Sequence, residues 1–300
     1  MRYSRIKRRN TQRRYTSVII LGLLLFLGFY IASAGAAGNF ISRIVAPIIA
    51  AFDNDVEQQD ANDDITEPSN TDLTLPENKE GEKNERITDH IDIAPMSFHA
   101  IQLAAFTEEK NARAAAAELQ GKGGAGFILN DKYLRLLAMG FISEDDAQKV
   151  RQQLKDEGIE SQIYIISCPG ANMEIAASAE KVDSIKTAFS LWLDKTKSLE
   201  GIIRDLDTSQ KSAEDALKDI EDIMAEFGSM LDKLNTYSAT EESNHILAGL
   251  QELYQRGKES LNDILSEKTA NRVAISAKIK YTYIDMIHQY KLYMDQITKV

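Results

Sequence analysis

The hydrophobic positions of this 300-residue chain fall into successive regimes. From Thr16 to Ala37 it runs TSVIILGLLLFLGFYIASAGAA without a charge, and 22 residues at a 1.5 Å rise cross a hydrocarbon core of about 30 Å. The pattern predicts a transmembrane helix over 15–37. Residues 38–52 stay apolar beyond it and read either as an interfacial or Pro47-interrupted extension of that helix or as the start of the next segment. Residues 53–95 hold few large apolar side chains, too few to offset the entropy of ordering, and are expected to form a disordered linker.

Between 96 and 168 the period changes from element to element. Alternation in Phe98-His99-Ala100-Ile101-Gln102-Leu103-Ala104 and in Tyr133-Leu134-Arg135-Leu136-Leu137-Ala138 predicts two strands. Apolar stripes at Ala112/Ala115/Ala116/Leu119 and Ala147/Val150/Leu154, with Thr107 and Ser143 as expected N-caps, predict two helices. Gly123 and Gly158 end them, and strands over 125–129 and 161–166 close the two halves. The halves repeat at an offset of 35, matching Phe106 with Phe141, Ala112 with Ala147, Leu119 with Leu154, Gly123 with Gly158 and Ile128 with Ile163.

A βαββαβ order with right-handed connections gives a ferredoxin-like antiparallel sheet covered by both helices on one face. If Ile101, Leu103, Leu134 and Leu136 point to the helices, the period of two sends Ala100, Gln102 and Ala104, with Tyr133, Arg135 and Leu137, to an open face. On the closing strand two assignments remain, with either Gln162 and Tyr164 or Ile163 and Ile165 on the open face. Polarity favours Gln162 and Tyr164, and the repeat match of Ile128 with Ile163 suggests that Ile163 is core. The fold class expected for the whole chain is α+β, with an N-terminal transmembrane helix, a disordered linker, the βαββαβ block and an all-α helical bundle.

After Pro169 the chain has no proline, and three-four spacing dominates. The seams run through Ile175, Val182, Ile185, Phe189, Trp192 and Leu199, then Leu217, Ile220, Met224 and Phe227, then Leu250, Leu253, Gly257 and Leu261, then Tyr283, Ile287, Tyr290 and Met294. The third helix is expected to start at the capping box Ser238-Ala239-Thr240-Glu241. Its boundary with the fourth has no strong breaker, so the two could form one continuous helix. Residues 171–300 are expected to form a helical bundle.

Charge sorts these regions by compartment. Residues 1–14 carry seven basic side chains and no acid, whereas 53–95 carry fourteen acids and three bases, a net −11 that equals the net charge of the whole chain. The positive-inside bias puts the basic tail in the cytoplasm and everything after residue 40 outside it. A cleaved signal peptide ending near Ala34 or Ala36 is the competing reading. The acidic balance argues against nucleic acid, and a lone cysteine, Cys168, excludes an intrachain disulfide and a cysteine-based zinc cluster. Neither a nucleophile motif nor a metal triad stands out, so the expectation is a non-enzymatic protein without a cofactor or a metal site.

Ile101-Gln102-Leu103-Ala104-Ala105-Phe106, the helix with Ala112 and Leu119, and Tyr133-x-Arg135-Leu136 leading to Phe141 resemble the SPOR domain. The resemblance covers 96–168. It implies binding of peptidoglycan glycan strands stripped of their stem peptides, with Gln102, Tyr133 and Arg135 lining the site, joined by Ala104, Leu137 and Tyr164. The chemistry of the residues agrees, because a ribbon of N-acetylated pyranoses calls for an aromatic ring over a sugar face and planar donors for its oxygens. Where the family has glycine and serine, this chain has Ala104 and Ala105. The resemblance therefore implies a membrane-anchored envelope protein at the division or sporulation septum, whose helical region contacts a septal protein or a second copy. The competing function is an activator or regulatory subunit of a cell-wall hydrolase.

Overall fold

The computed structural model describes residues 86–237, 241–267 and 271–298, without the side chains of 241–243. The expected cytoplasmic tail, transmembrane helix, juxtamembrane segment and most of the acidic linker lie outside these residues, as do Ser238, Ala239 and Thr240 of the capping box. No helix among the described residues is long and apolar enough to cross a membrane.

Regular structure is present before residue 96, where the sequence reading places the start of the folded block. Strand β1, Arg86–Ile93, occupies the end of the expected linker and pairs antiparallel with β6, Ala171–Ser178, from Arg86 opposite Ser178 to Ile93 opposite Ala171. Ile91 and Ile93 on one strand and Ala171, Met173 and Ile175 on the other are buried in alternation, and this burial is what offsets the ordering of a charged segment. Residues 171–178 are thus strand rather than the start of a helix. Ile175 continues the apolar spacing of the following helix, which is why a helical seam and a strand both fit it.

Between these strands lie β2, Met96–Phe106; α1, Glu109–Gly121; β3, Phe127–Asn130; β4, Leu134–Phe141; α2, Glu144–Asp156; and β5, Gln162–Cys168. The sheet order β3-β4-β2-β5 is the one the right-handed connections require. Glu108 rather than Thr107 occupies the N-cap of α1, without a side-chain cap bond, whereas Ser143 caps α2 by accepting from the Asp146 N–H. Both helices end alike: Gly123 and Gly158 take positive φ, Gly124 N–H and Ile159 N–H donate to Leu119 O and Leu154 O, and the 35-residue repeat is thereby a repeat of Schellman caps. Ala147 and Val150 of α2 pack on Ile101 and Phe141, forming the core on that face of the sheet.

The bundle comprises α3, Ala179–Asp207; α4, Ala213–Asn235; α5, Glu241–Leu265; and α6, Arg272–Thr298. Consecutive helices pack together and α6 closes on α3. Asn244 leaves helical geometry (φ −162°, ψ 74°) and accepts from the Leu247 N–H, so the regular part of α5 starts there. Asn271 caps α6 through bonds from the Val273 and Ala274 N–H groups, which separates the third and fourth helices. Trp192 stacks on Phe227 and meets Tyr254 edge-on at centroid distances of 5.1 and 5.5 Å, and the Tyr254 hydroxyl donates to Ala188 O.

The main departure from expectation is the second face of the sheet. Phe98, Ala100, Phe127, Leu129, Leu137, Ile166 and Cys168 form one buried cluster with the bundle. Helix α6 crosses this face, meeting Phe127 through Tyr281 and His288 and meeting Phe98 through Tyr283. An area this apolar is not left to water when a helix of the same chain that buries residues around most of its circumference can cover it. Two polar clusters fasten the contact. Glu200 of α3 accepts from the Tyr283 hydroxyl (2.5 Å) and from the Ile142 N–H (3.3 Å) at the end of β4. Lys280 of α6, 3% exposed, donates to Gly123 O and to Asp207 Oδ1, both at 2.9 Å.

Candidate functional site

Helix α6 covers one end of the sheet face; polar residues gather at the other. Gln102 on the inner strand β2 stands opposite Leu137 of β4 and Gln162 of β5, and Arg135 of β4 stands opposite Ala105. The turn between β3 and β4 supplies Asp131, whose carboxylate accepts from the Tyr133 N–H (3.0 Å), Arg135 Nε (2.8 Å) and the Tyr164 hydroxyl (3.0 Å). The last of these bonds spans β2, since β4 and β5 are not neighbours. The Arg135 guanidinium lies 4.6 Å from the centre of the Tyr164 ring and 5.8 Å from that of Tyr133.

Arg135 Nη1 donates to Gln102 Oε1 at 3.0 Å. Because a guanidinium has no acceptor, this bond fixes which way the amide of Gln102 points and leaves its Nε2 as a donor without a partner among the described residues. Gln102 is 8% exposed, so the donor is offered from a recessed position, whereas Tyr133 is 40% exposed beside it. The Tyr133 N–H, followed by Arg135, pulls the Asp131 carboxyl down to about 2. The bond to Asp131 raises Arg135 above its ordinary value, and burial raises the Tyr164 hydroxyl. The cluster is therefore an ion pair flanked by two aromatic rings and one directed amide.

Of the residues expected at the site, Gln102, Tyr133, Arg135 and Tyr164 come together. Ala104 and Leu137 do not. Two irregularities in the β2–β4 pairing, between Ile101 and Gln102 and between Gln102 and Ala104, place Ala104 opposite Leu136. Leu136 and Leu137 alternate, so Ala104 lies on the reverse side from Gln102. Leu137 is on the right face and fully buried in the cluster that includes the bundle. On β5, Tyr164 reaches Asp131, and Ile163 packs with Ile101 and Phe141 on the other face.

The reading of the sequence missed Asp131. The only signal was its place in Asn130-Asp131-Lys132, a turn-forming run between two strands in which an aspartate bonds the backbone two residues on.

A family model now bears on this arrangement. Residues 95–164 match the SPOR domain. SPOR domains bind peptidoglycan, localise proteins to the division septum and are not a catalytic family. The match covers β2, β3 and β4, both helices of the sheet and the start of β5, with all of Gln102, Asp131, Tyr133, Arg135 and Tyr164 inside it. It excludes β1, β6 and the bundle. No curated protein and no solved structure matches the chain.

Proposed function

We propose that this protein binds stem-peptide-free glycan strands of peptidoglycan through the end of the sheet that α6 leaves uncovered. The carrying observation is the arrangement of Gln102 and Arg135 beside Tyr133 and Tyr164, which offers a fixed amide donor and exposed ring surface within the segment that matches the SPOR domain. A pyranose stacks on the ring while its acetamide carbonyl and hydroxyl oxygens accept from the amide. The uncharged run at 16–37 anchors the protein in the membrane with its N-terminus in the cytoplasm, and the acidic residues that follow act as an extended tether to the cell wall. The function is one of placement at the septum and not of bond cleavage.

The test is co-sedimentation of the full-length protein, in detergent, with sacculi before and after an amidase removes their stem peptides. Enrichment on the stripped sacculi, weakened by Gln102→Ala and by Arg135→Ala, is the expected result. Loss of the Gln102 donor should cost about 0.5–1.5 kcal/mol of binding, and Arg135→Ala should weaken binding by freeing that amide to turn. Equal sedimentation with both preparations would refute the reading.

A further inference from the structure

An amidase that cuts the bond to the stem peptide leaves a free carboxylate on the lactyl group of alternate sugars, so a stripped strand carries both neutral acetamides and anions. An arginine at the binding site would ordinarily be assigned to those anions. The geometry points to a different role: Asp131 is a specificity-determining residue that occupies the charge of Arg135, so that the site reads the uncharged N-acetyl and hydroxyl groups of the glycan and disregards its carboxylates. This rests on the glycan reading above and deepens it.

Three observations carry the inference. First, Arg135 Nε lies within hydrogen-bonding distance of both Asp131 oxygens, at 3.0 and 2.8 Å, and its Nη1 is turned to Gln102, so each two-nitrogen edge that could grip a ligand carboxylate has one nitrogen engaged already and Nη2 alone is without a partner among the described residues. Second, Asp131 is held from three sides, by the Tyr133 N–H, by Arg135 and by the Tyr164 hydroxyl, and a ligand carboxylate would have to displace a preorganised partner to take its place. Third, of the donors left over, Gln102 Nε2 is neutral and Arg135 Nη2 belongs to a cation already paired with Asp131, so both suit a carbonyl or hydroxyl oxygen. Lys132 lies 5.5 Å from the centre of the Tyr133 ring and is solvent-exposed, where salt screens its pull on a distant anion.

The experiment compares binding of the full-length protein to amidase-stripped strands before and after their carboxylates are converted to neutral amides. Wild-type binding should be the same for both ligands and insensitive to salt. In Asp131→Asn the guanidinium is released, and binding should favour the carboxylate-bearing strands about tenfold over the amidated ones, the scale of one hydrogen bond to a charged group, with the preference lost at high salt. Asp131→Glu, which keeps the charge, should behave as wild type. A wild-type preference for carboxylate-bearing strands would overturn the role of Asp131 without reference to any variant, and so would an unchanged ratio in Asp131→Asn. If the wild-type protein binds neither ligand, the glycan reading itself fails, which is a different result from binding both with the wrong ratio.

Discussion

Phe98 of β2 and Tyr283 of α6 meet edge to face with ring centroids 5.2 Å apart. Phe98 belongs to the segment that matches the SPOR domain and Tyr283 to the bundle, yet both are fully buried in one cluster. The two parts thus share a core, and the sheet depends on α6 for cover of Phe98, Ala100, Leu137 and Ile166.

This contact should be measurable as a coupling. Phe98→Leu and Tyr283→Leu, singly and together, form a cycle whose interaction energy should be about 0.5–1.5 kcal/mol by denaturant unfolding. One unfolding transition for sheet and bundle is expected. Two separate transitions, with a coupling near zero, would show that the parts are stable apart.

Lys280 provides a second test of the same interface. Removing it by Lys280→Ala leaves Asp207 buried, 5% exposed at its side chain, without its counter-charge, and should cost about 3–5 kcal/mol. Replacing both partners with apolar residues of similar volume, Lys280→Met with Asp207→Leu, should recover most of that loss. Thermal unfolding of the three proteins distinguishes the outcomes; a double variant as unstable as the single one would contradict the argument.

The pH dependence of stability should carry the mark of Asp131. Its carboxyl ordinarily titrates at 3.8 and is depressed to about 2 in the folded chain. A depressed carboxyl binds its proton less tightly when folded, so its contribution is present above pH 3.8 and is lost as the pH falls through that value towards about 2. Asp131→Asn should flatten the stability profile in this window only. The measurement is denaturant midpoint against pH for the two proteins.

Gly257 in α5 makes room for Trp192. A Cβ there would lie 2.8 Å from the indole and 2.9 Å from the Phe227 ring, both held in the bundle core. Gly257→Ala should therefore destabilise by about 1–3 kcal/mol, against the gain that alanine brings in an ordinary helix interior. Sacculus binding by the folded fraction should be unchanged.

How far the sequence was legible depended on whether a feature was local. The strand alternation around Ile101, the stripe through Ala147 and Val150, and the glycines at 123 and 158 are set by neighbours within a turn or two, and the fold follows them. The cover of the sheet by α6 is set by residues some 185 positions apart, Phe98 and Tyr283, and no period reports such a pairing. The residues that needed it were nonetheless visible: Phe98, Ala100 and Ile166 on one face are too apolar for solvent. At the candidate site, strand alternation put Gln102, Arg135 and Tyr133 on one face, and only the resemblance to the SPOR domain singled them out there. Ala104 was misplaced because the irregularity between Gln102 and Ala104, the second of two in this pairing, turns Ala104 to the other face. Strand β1 was hidden by its charges, since only its pairing with β6 makes its few isoleucines sufficient.

That pairing also decides how the protein carries a pull. Strand β1 is fully stretched, at roughly 3.3 Å per residue, and its last residue, Ile93, is followed after Ala94 and Pro95 by β2, the strand that bears Gln102. Tension between residue 86 and β2 would therefore run along an element with no slack to release and enter the interior of the sheet directly. The bundle shares that load, because Ile91 and Ile93 are buried in the same cluster as its helices and Lys186 of α3 is paired with Asp89 of β1.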